Sequence, residues 1–439
     1  MTVKKQYARR EFLRYASVAT LTGVMAPVII PRSALADEQR PGANERIGIA
    51  GIGVGRRGGE IFRSAAKHPK AQAICVADLW KSRAEQVAKD TGCDAAYQDY
   101  HKVLERKDVD AIMTATPEHW RGLVCINACL AGKHIYGEKP ITLTINEGKL
   151  MEKAARRNNI VFQTGSQQRS QRENHLGCEF IRNGGLGKIK EIIAANYQSP
   201  WLCDLPAQTA PADLDWETWC GPTPVVPYNI DLFTPRAKPG WLSFRPYSGG
   251  EMTGWGTHGI DQIQCALGMD LTMPTEFLVE EGASKLIPPV YSKAESADRG
   301  NEICGNPKLA FQYANGIRVR LGDANWGGAI FVGENGKMEI FRGNLKSNPP
   351  EMAEEVLKKE YTTNGHIDNW LNCIQTGERP ISDIAIGRRS AAICHILNIT
   401  RYLGRSLKWD PEKEVFIDDD EANTYLSREA RKGYELPEV

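Results

Sequence analysis

The sequence predicts an α/β fold in two parts: a parallel sheet wrapped by helices, then an α+β part built on a larger, mostly antiparallel sheet. Three observations predict it. Short apolar runs alternate with helical patterns from residue 46 to about 165. A glycine-rich turn follows the first of those runs. Beyond 165 the apolar runs lengthen and Asn-Gly pairs punctuate them. Alternating strands and helices specify a covered parallel sheet, and Asn-Gly between apolar runs specifies hairpins.

The strand-length runs of the first part are "RIGIAGI" (46–52), "AQAICVA" (71–77), "AIMTA" (111–115), "HIYGE" (134–138) and "IVFQTG" (160–165). Their near-continuous apolar character fits strands covered on both faces. Between them, "KSRAEQVAKD" (81–90) and "INEGKLMEKAARRN" (145–158) carry the helical period. In the second part "IKEIIAANYQ" (189–198), "TEFLVEEGAS" (275–284), "LAFQYANGIRVRLGDA" (309–324) and "IFVGENGKMEIF" (330–341) read as strands, with turns at Asn315-Gly316 and Asn335-Gly336. Helical patterns at 367–377 and 388–404 follow. The predicted organisation is a signal segment at 1–36, a polar linker at 37–45, a first domain at 46–165 and a second at 166–439.

A chain of 439 residues has length for two domains with substantial cores. Its net charge of +1 hides a local +5 in the first 36 residues, where six Lys and Arg face Glu11 alone; the remainder stands at −4. Such a body offers no electrostatic case for nucleic acid or a membrane surface. The first residues carry "ARREFLR" (8–14), a mildly apolar run from Tyr15 to Ile30, and "ALA" at 34–36 before Asp37. This resembles a twin-arginine export signal with a small-residue cleavage site, and predicts a periplasmic protein carried by that machinery. An uncleaved anchor is the alternative, but the run falls short of the ~20 apolar residues a span needs. The 11 cysteines are odd in number and scattered. Cys125 and Cys129 have no histidine cluster near them, so no metal site is expected and buried free thiols are.

"GVGRRG" places Gly53, Gly55 and Gly58 in G-x-G-x-x-G spacing, with Val54, Arg56 and Arg57 between them. It follows a strand and opens a helix, the context that gives the motif its meaning as a Rossmann-type dinucleotide site. The glycines allow a tight turn and close approach of a pyrophosphate to N–H groups at a helix N-terminus. Asp78 ends the second strand, where a carboxylate accepts from the adenosine ribose hydroxyls. Its charge favours NAD over NADP, and the nearby Lys81 and Arg83 moderate that preference.

Lys139 raises a separate question: it ends a strand-like stretch and precedes Pro140, which disfavours helix for the residue before it. "TATPEHW" (114–120), "AGKHIYGEKP" (131–140), "GSQQRS" (165–170), "GGEMTGWGTHGID" (249–261) and "GRSLKWDPEKEVFIDDDEAN" (404–423) follow "GVGRRG" in order. Together they resemble the glucose–fructose oxidoreductase/inositol dehydrogenase family of sugar and cyclitol oxidoreductases. The resemblance implies a substrate held between a large open-faced sheet and the nicotinamide, and homo-oligomers. It implies that Thr116, Pro117, Glu138 and Lys139 lie by the cofactor and that Lys139 and His258 are catalytic. A lysine beside a cationic nicotinamide and partly desolvated has a lowered pKa and can take a hydroxyl proton. Gln167, Gln168 and Arg169 match the region facing the sugar; Gln167 and Arg169 are the candidates from it.

Two positions depart from the pattern. Gly254 stands where the family has the aspartate of its D-x-x-x-H pair, and Glu251 or Asp261 are alternative carboxylates. Arg121 stands where many relatives have histidine, and signals either an acidic substrate or a salt bridge to the body. The aromatic stretch 196–260 holds Trp201, Trp216, Trp219, Trp241 and Trp255. Their rings either meet a sugar or fill a long loop, with Trp255, three residues before His258, the candidate for the sugar. Export implies a tightly held cofactor recycled within one cycle, since the space outside the inner membrane has essentially no soluble NAD. A net oxidoreductase, a glycoside-cleaving or epimerising enzyme using transient oxidation, and a decayed nucleotide-bearing sugar binder are the three readings.

Overall fold

The computed structural model describes Gly42 and residues 45–235, 240–282, 285–293 and 302–439. The proposed signal segment, and most of the linker after it, lie outside these residues.

The first sheet has six parallel strands: β1 Ile47–Ile52, β2 Ala71–Ala77, β3 Ala95–Tyr97, β4 Ala111–Thr114, β5 His134–Gly137 and β6 Phe162–Thr164, in the order β3-β2-β1-β4-β5-β6. All its pairings are parallel. The order reverses between β1 and β4, which opens a crevice at the carboxyl ends of these strands. Helices α1 Arg56–Ala66, α2 Lys81–Thr91, α3 Glu118–Leu130 and α4 Ile145–Arg157 connect the strands. Helix α4 starts cleanly because Thr144 and Glu147 form a reciprocal capping box.

The second sheet has nine strands: β7 Ile189–Ala195, β8 Glu276–Glu281, β9 Lys308–Gln312, β10 Arg318–Gly322, β11 Gly328–Gly333, β12 Lys337–Phe341, β13 Asn344–Asn348, β14 Leu407–Asp410 and β15 Val415–Phe416. Their order is β13-β12-β11-β7-β10-β9-β8-β14-β15. Pairing is antiparallel throughout except for β7 with β10, which makes the sheet mixed. Period-2 alternation turns Ile192, Ala194, Phe311, Val319, Leu321, Phe331 and Ile340 onto one face. There they meet Leu176 and Ile181 of α5 (Arg172–Arg182), Ile260 and Ile263 of α6 (Gly256–Leu267), and Ile393 and Leu397 of the long helix at Ile384–Leu403.

The two sheets do not divide the chain cleanly. Helix α7 (His366–Thr376) sends Trp370, Leu371 and Cys373 into the core of the first sheet. Helix α8 (Ile384–Leu403) gives Ile384 and Ala391 to the opposite face of that sheet, where Tyr434 and Leu436 also pack. Among the described residues, no helix is long and apolar enough to cross a membrane.

Candidate active site

The site begins at the β1–α1 turn. Gly53 has φ +72, and a Cβ there would fall 2.7 Å from the Thr116 side chain. A Cβ on Gly58 would fall 2.0 Å from the Gly53 carbonyl oxygen. The turn therefore has room for backbone alone, the condition under which a pyrophosphate reaches helix N–H groups. Val54 is buried beneath it and Arg56 is exposed. Asp78 is buried at the end of β2 and accepts from the Trp80 N–H at 2.9 Å. Burial pushes its carboxyl upward, and Arg83, 3.7 Å away, opposes that. The Arg83 guanidinium lies over Trp80 at 4.7 Å and Phe233 at 5.2 Å. These residues fit a dinucleotide with an unphosphorylated ribose.

Glu138 ties this turn to the end of β5. Its buried carboxylate accepts from Arg57 Nε and Gln167 Nε2, both at 2.8 Å, and from the Lys139 N–H at 3.0 Å. Gln167 also donates to the Tyr136 hydroxyl at 2.8 Å. Lys139 then leaves the strand with its direction fixed, and its Nζ donates to the Gly254 carbonyl at 2.8 Å. At Gly254, where the resemblance leads one to expect an aspartate, this chain offers Lys139 a backbone acceptor. The ammonium also stands 5.7 Å from the Trp255 ring.

The opposite wall is the segment around α6. His258 is buried, its ring 5.8 Å from that of Trp255. Three side chains converge on Gly327, in the loop before β11. A Cβ there would meet Gln168 Nε2 at 3.1 Å, Trp255 Cε3 at 3.3 Å and His258 Cβ at 3.4 Å. Tyr197 fixes that glycine by accepting its N–H at 2.6 Å, and Trp326 beside it meets both Tyr197 and Trp255 edge-on. The structure thus places Trp255 between two candidates, by Lys139 just beyond β5 and by His258 in α6.

Other candidates are placed elsewhere. The buried Arg169 spends its guanidinium on Asp261, at 2.7 and 2.9 Å, and on Asp270 at 2.7 Å. Asp261 also accepts from Ser390 Oγ at 3.0 Å, so both residues brace α6 and not a substrate. Gln167 serves Glu138, as above, while its buried neighbour Gln168 packs towards Gly327. Arg121 is buried and donates to the carbonyls of Thr116 and Pro140. Among the described residues no carboxylate pairs with it, so neither expected role, acidic substrate nor salt bridge, matches its place; it clamps the two strand-end loops together. His119 faces away, to the Trp219 carbonyl at 2.9 Å. Trp201, Trp219, Tyr228, Phe244 and Tyr247 are the core of their own long loop, with Trp216 and Trp241 packed against it.

Sequence reasoning missed Glu118. Fully buried at the start of α3, it accepts from Ser248 Oγ at 2.6 Å, the Gly249 N–H at 2.9 Å and Thr253 Oγ1 at 3.3 Å. It thereby sets the segment that carries Gly254 and Trp255. The "TPE" string was visible, but its partners lie 130 residues away.

Comparison with known proteins agrees with this fold. Residues 46–166 match the model for the oxidoreductase family's NAD-binding Rossmann fold, and residues 188–436 match that for its C-terminal alpha/beta domain. The chain belongs to the Gfo/Idh/MocA oxidoreductase family. This family member therefore has NAD as its cofactor. It is 34% identical over 125 residues to scyllo-inositol 2-dehydrogenase (NAD(+)) of Bacillus subtilis, covering 28% of this chain and 36% of that protein. It is 26% identical over 212 residues to a glycosyl hydrolase family 109 protein of Shewanella baltica, covering 43% and 45%. These matches span less than half of either relative. A structure of aldose-aldose oxidoreductase from Caulobacter crescentus superposes with a TM-score of 0.57 at 15% identity, covering 83% of this chain and 99% of that one. At that identity the likeness concerns the fold.

Proposed function

We propose that this Gfo/Idh/MocA protein is an exported oxidoreductase acting on a CH–OH group of a sugar or cyclitol, with its nucleotide held through the catalytic cycle. The observation that carries the reading is Lys139: a strand-end lysine, fixed by Glu138 and the Gly254 carbonyl, beside Trp255, whose ring in turn lies by that of His258. NAD, when bound, supplies hydride transfer. The chain's own residues do the rest. Lys139 takes the proton of the hydroxyl at the carbon undergoing oxidation. His258 orients or protonates a neighbouring oxygen, and the Trp255 indole packs against the sugar's C–H face. Export is supported by "ARREFLR" in the first residues, and cofactor retention by the scarcity of soluble NAD outside the inner membrane.

A second reading is favoured by Gly254 and by the similarity to a glycosyl hydrolase family 109 protein. Transient oxidation of a hydroxyl acidifies the neighbouring C–H, so a glycosidic group can be eliminated or a centre inverted before the hydride returns. The net reaction is then redox-neutral.

One preparation tests both. The full precursor is expressed, the exported protein purified without added cofactor and then denatured, and the released nucleotide identified by mass spectrometry. Stoichiometric nucleotide, followed by cleavage in a cofactor-free glycoside panel, supports the redox-neutral reading. Stoichiometric nucleotide with oxidation of one sugar coupled to reduction of another supports the first. An empty site with steady turnover of added NAD overturns cofactor retention, and no turnover on any sugar leaves a binding protein.

A further inference from the structure

Arg342 was not singled out by any motif, yet this exposed residue lies against Trp255. It occupies the β12–β13 turn with φ +41, a conformation that disfavours residues with a Cβ and in which Asn or Gly is the ordinary choice. The next residue, Gly343 (φ +76), donates its N–H to Asn174 Oδ1 at 2.6 Å. Asn174 is fully buried and donates in turn to Gln168 Oε1 at 3.1 Å. The hairpin tip is therefore tied, through Asn174, to the buried Gln168 that packs towards Gly327. This tether holds the Arg342 guanidinium over the Trp255 ring, 4.7 Å from its centre, while Lys139 Nζ stands 5.7 Å from the same ring.

Two cations share one indole, and the arginine pairs with no carboxylate among the described residues. Gln168 adds a buried Nε2 donor with no hydrogen-bond partner among the described residues, aimed at the point over Gly327 where Trp255 and His258 also converge. A turn that places an exposed arginine in a disfavoured conformation, stacks it on the indole that Lys139 also approaches and leaves its fork open is suited to an anionic oxygen group.

We propose that Arg342 recognises a negatively charged substituent of the sugar, a carboxylate, sulfate or phosphate group, and makes this an enzyme of acidic sugars. The proposal rests on the carbohydrate reading above. Arg342 selects and orients the substrate through that substituent; Lys139 keeps the acid–base role.

The test is calorimetric titration of the purified, nucleotide-loaded protein with glucuronate, glucose 6-sulfate and glucose 6-phosphate against glucose and myo-inositol, using the wild type, Arg342→Lys and Arg342→Asn. Asparagine suits the turn, so Arg342→Asn keeps the thermal midpoint while removing the charge. The expected result is that at least one anionic sugar binds on the order of tenfold to a hundredfold more tightly than glucose. That advantage shrinks in 1 M salt, disappears in Arg342→Asn and is partly kept in Arg342→Lys; whichever anionic arm wins identifies the group. Equal binding of neutral and anionic sugars, or an anionic preference that survives Arg342→Asn, overturns the proposal and leaves the carbohydrate reading standing. Binding of no sugar at all overturns both.

Discussion

Lys139 shows how one side chain is aimed. Its backbone N–H is fixed by Glu138, and its Nζ by a carbonyl from the other half of the chain, 115 residues on. Replacing it with methionine preserves the volume and most of the packing on Trp255 and removes the proton acceptor. Lys139→Met is expected to lower turnover of any accepted sugar by about 10²–10⁴-fold while retaining nucleotide at wild-type stoichiometry. Steady-state kinetics and mass spectrometry of the denatured variant check the two halves of that statement; unchanged turnover would remove Lys139 from the chemistry. At this scale the sequence foretold local placement where a residue sat inside a local motif, as with Gly53 in its tight turn, Asp78 at the end of β2 and Lys139 just beyond β5. It was uninformative where the partner is remote. Nothing local distinguishes Arg169, engaged by Asp261 and Asp270, from Gln168 one position earlier, engaged by Asn174.

Elements were legible in proportion to how local their determinants are. The hairpins at Asn315-Gly316 and Asn335-Gly336 join β9 to β10 and β11 to β12, as Asn-Gly turns require. The turn at Arg342-Gly343 lacks that signature, and β13 after it went unread. Strand β3 has three residues, too few for a pattern. The parallel pairing of β7 with β10 is a non-local fact with no sequence marker. The glycine turn is the element whose function follows most directly from its geometry. Gly58→Ala puts a methyl group 2.0 Å from a backbone oxygen, so turn or helix must shift. The variant is expected to purify without nucleotide and to be destabilised by about 1–3 kcal/mol. Gly92→Ala is the control: its φ of +71 is also strained, but nothing lies within 4 Å of the added carbon and nucleotide is retained. Equal nucleotide content in both variants would refute the cradle. Helix α7 gives a further expectation. Trp370 is fully buried in the first sheet's core although it comes from late in the chain, so Trp370→Ala should cost about 3–5 kcal/mol. A denaturant midpoint shift of less than one third of that would mean the helix packs loosely.

Across the whole molecule the two halves are joined by buried polar groups, and these couple stability to pH. Glu118 belongs to the first sheet's α3, and its hydrogen-bond donors belong to the segment leading into α6. Burial pushes its carboxyl up to about 7 from 4.5, against the opposing hydrogen bonds of Ser248 and Gly249 and the charge of Arg121. The folded protein therefore holds a proton that the unfolded chain has lost, and the stability this confers is complete below pH 4.5 and declines as pH rises to about 7. The buried His119, His366 and His395 act in the opposite sense. Burial presses each down to about 4 from 6.5, so their contribution is complete above pH 6.5 and is lost as pH falls through about 4. The two groups compete between pH 4.5 and 6.5, and a single pH curve mixes them with every other titrating group. A difference between variants isolates one. Glu118→Gln keeps the shape and an acceptor for the Gly249 N–H but does not titrate. Its stability relative to wild type is expected to rise by about 3 kcal/mol between pH 4.5 and 7, from about 2.5 pH units at 1.36 kcal/mol each. Urea unfolding of both proteins at half-unit pH steps measures it. A pH-independent difference would show that Glu118 is ionised in the fold across this range, and that its three donors, rather than burial, govern the carboxylate joining the halves.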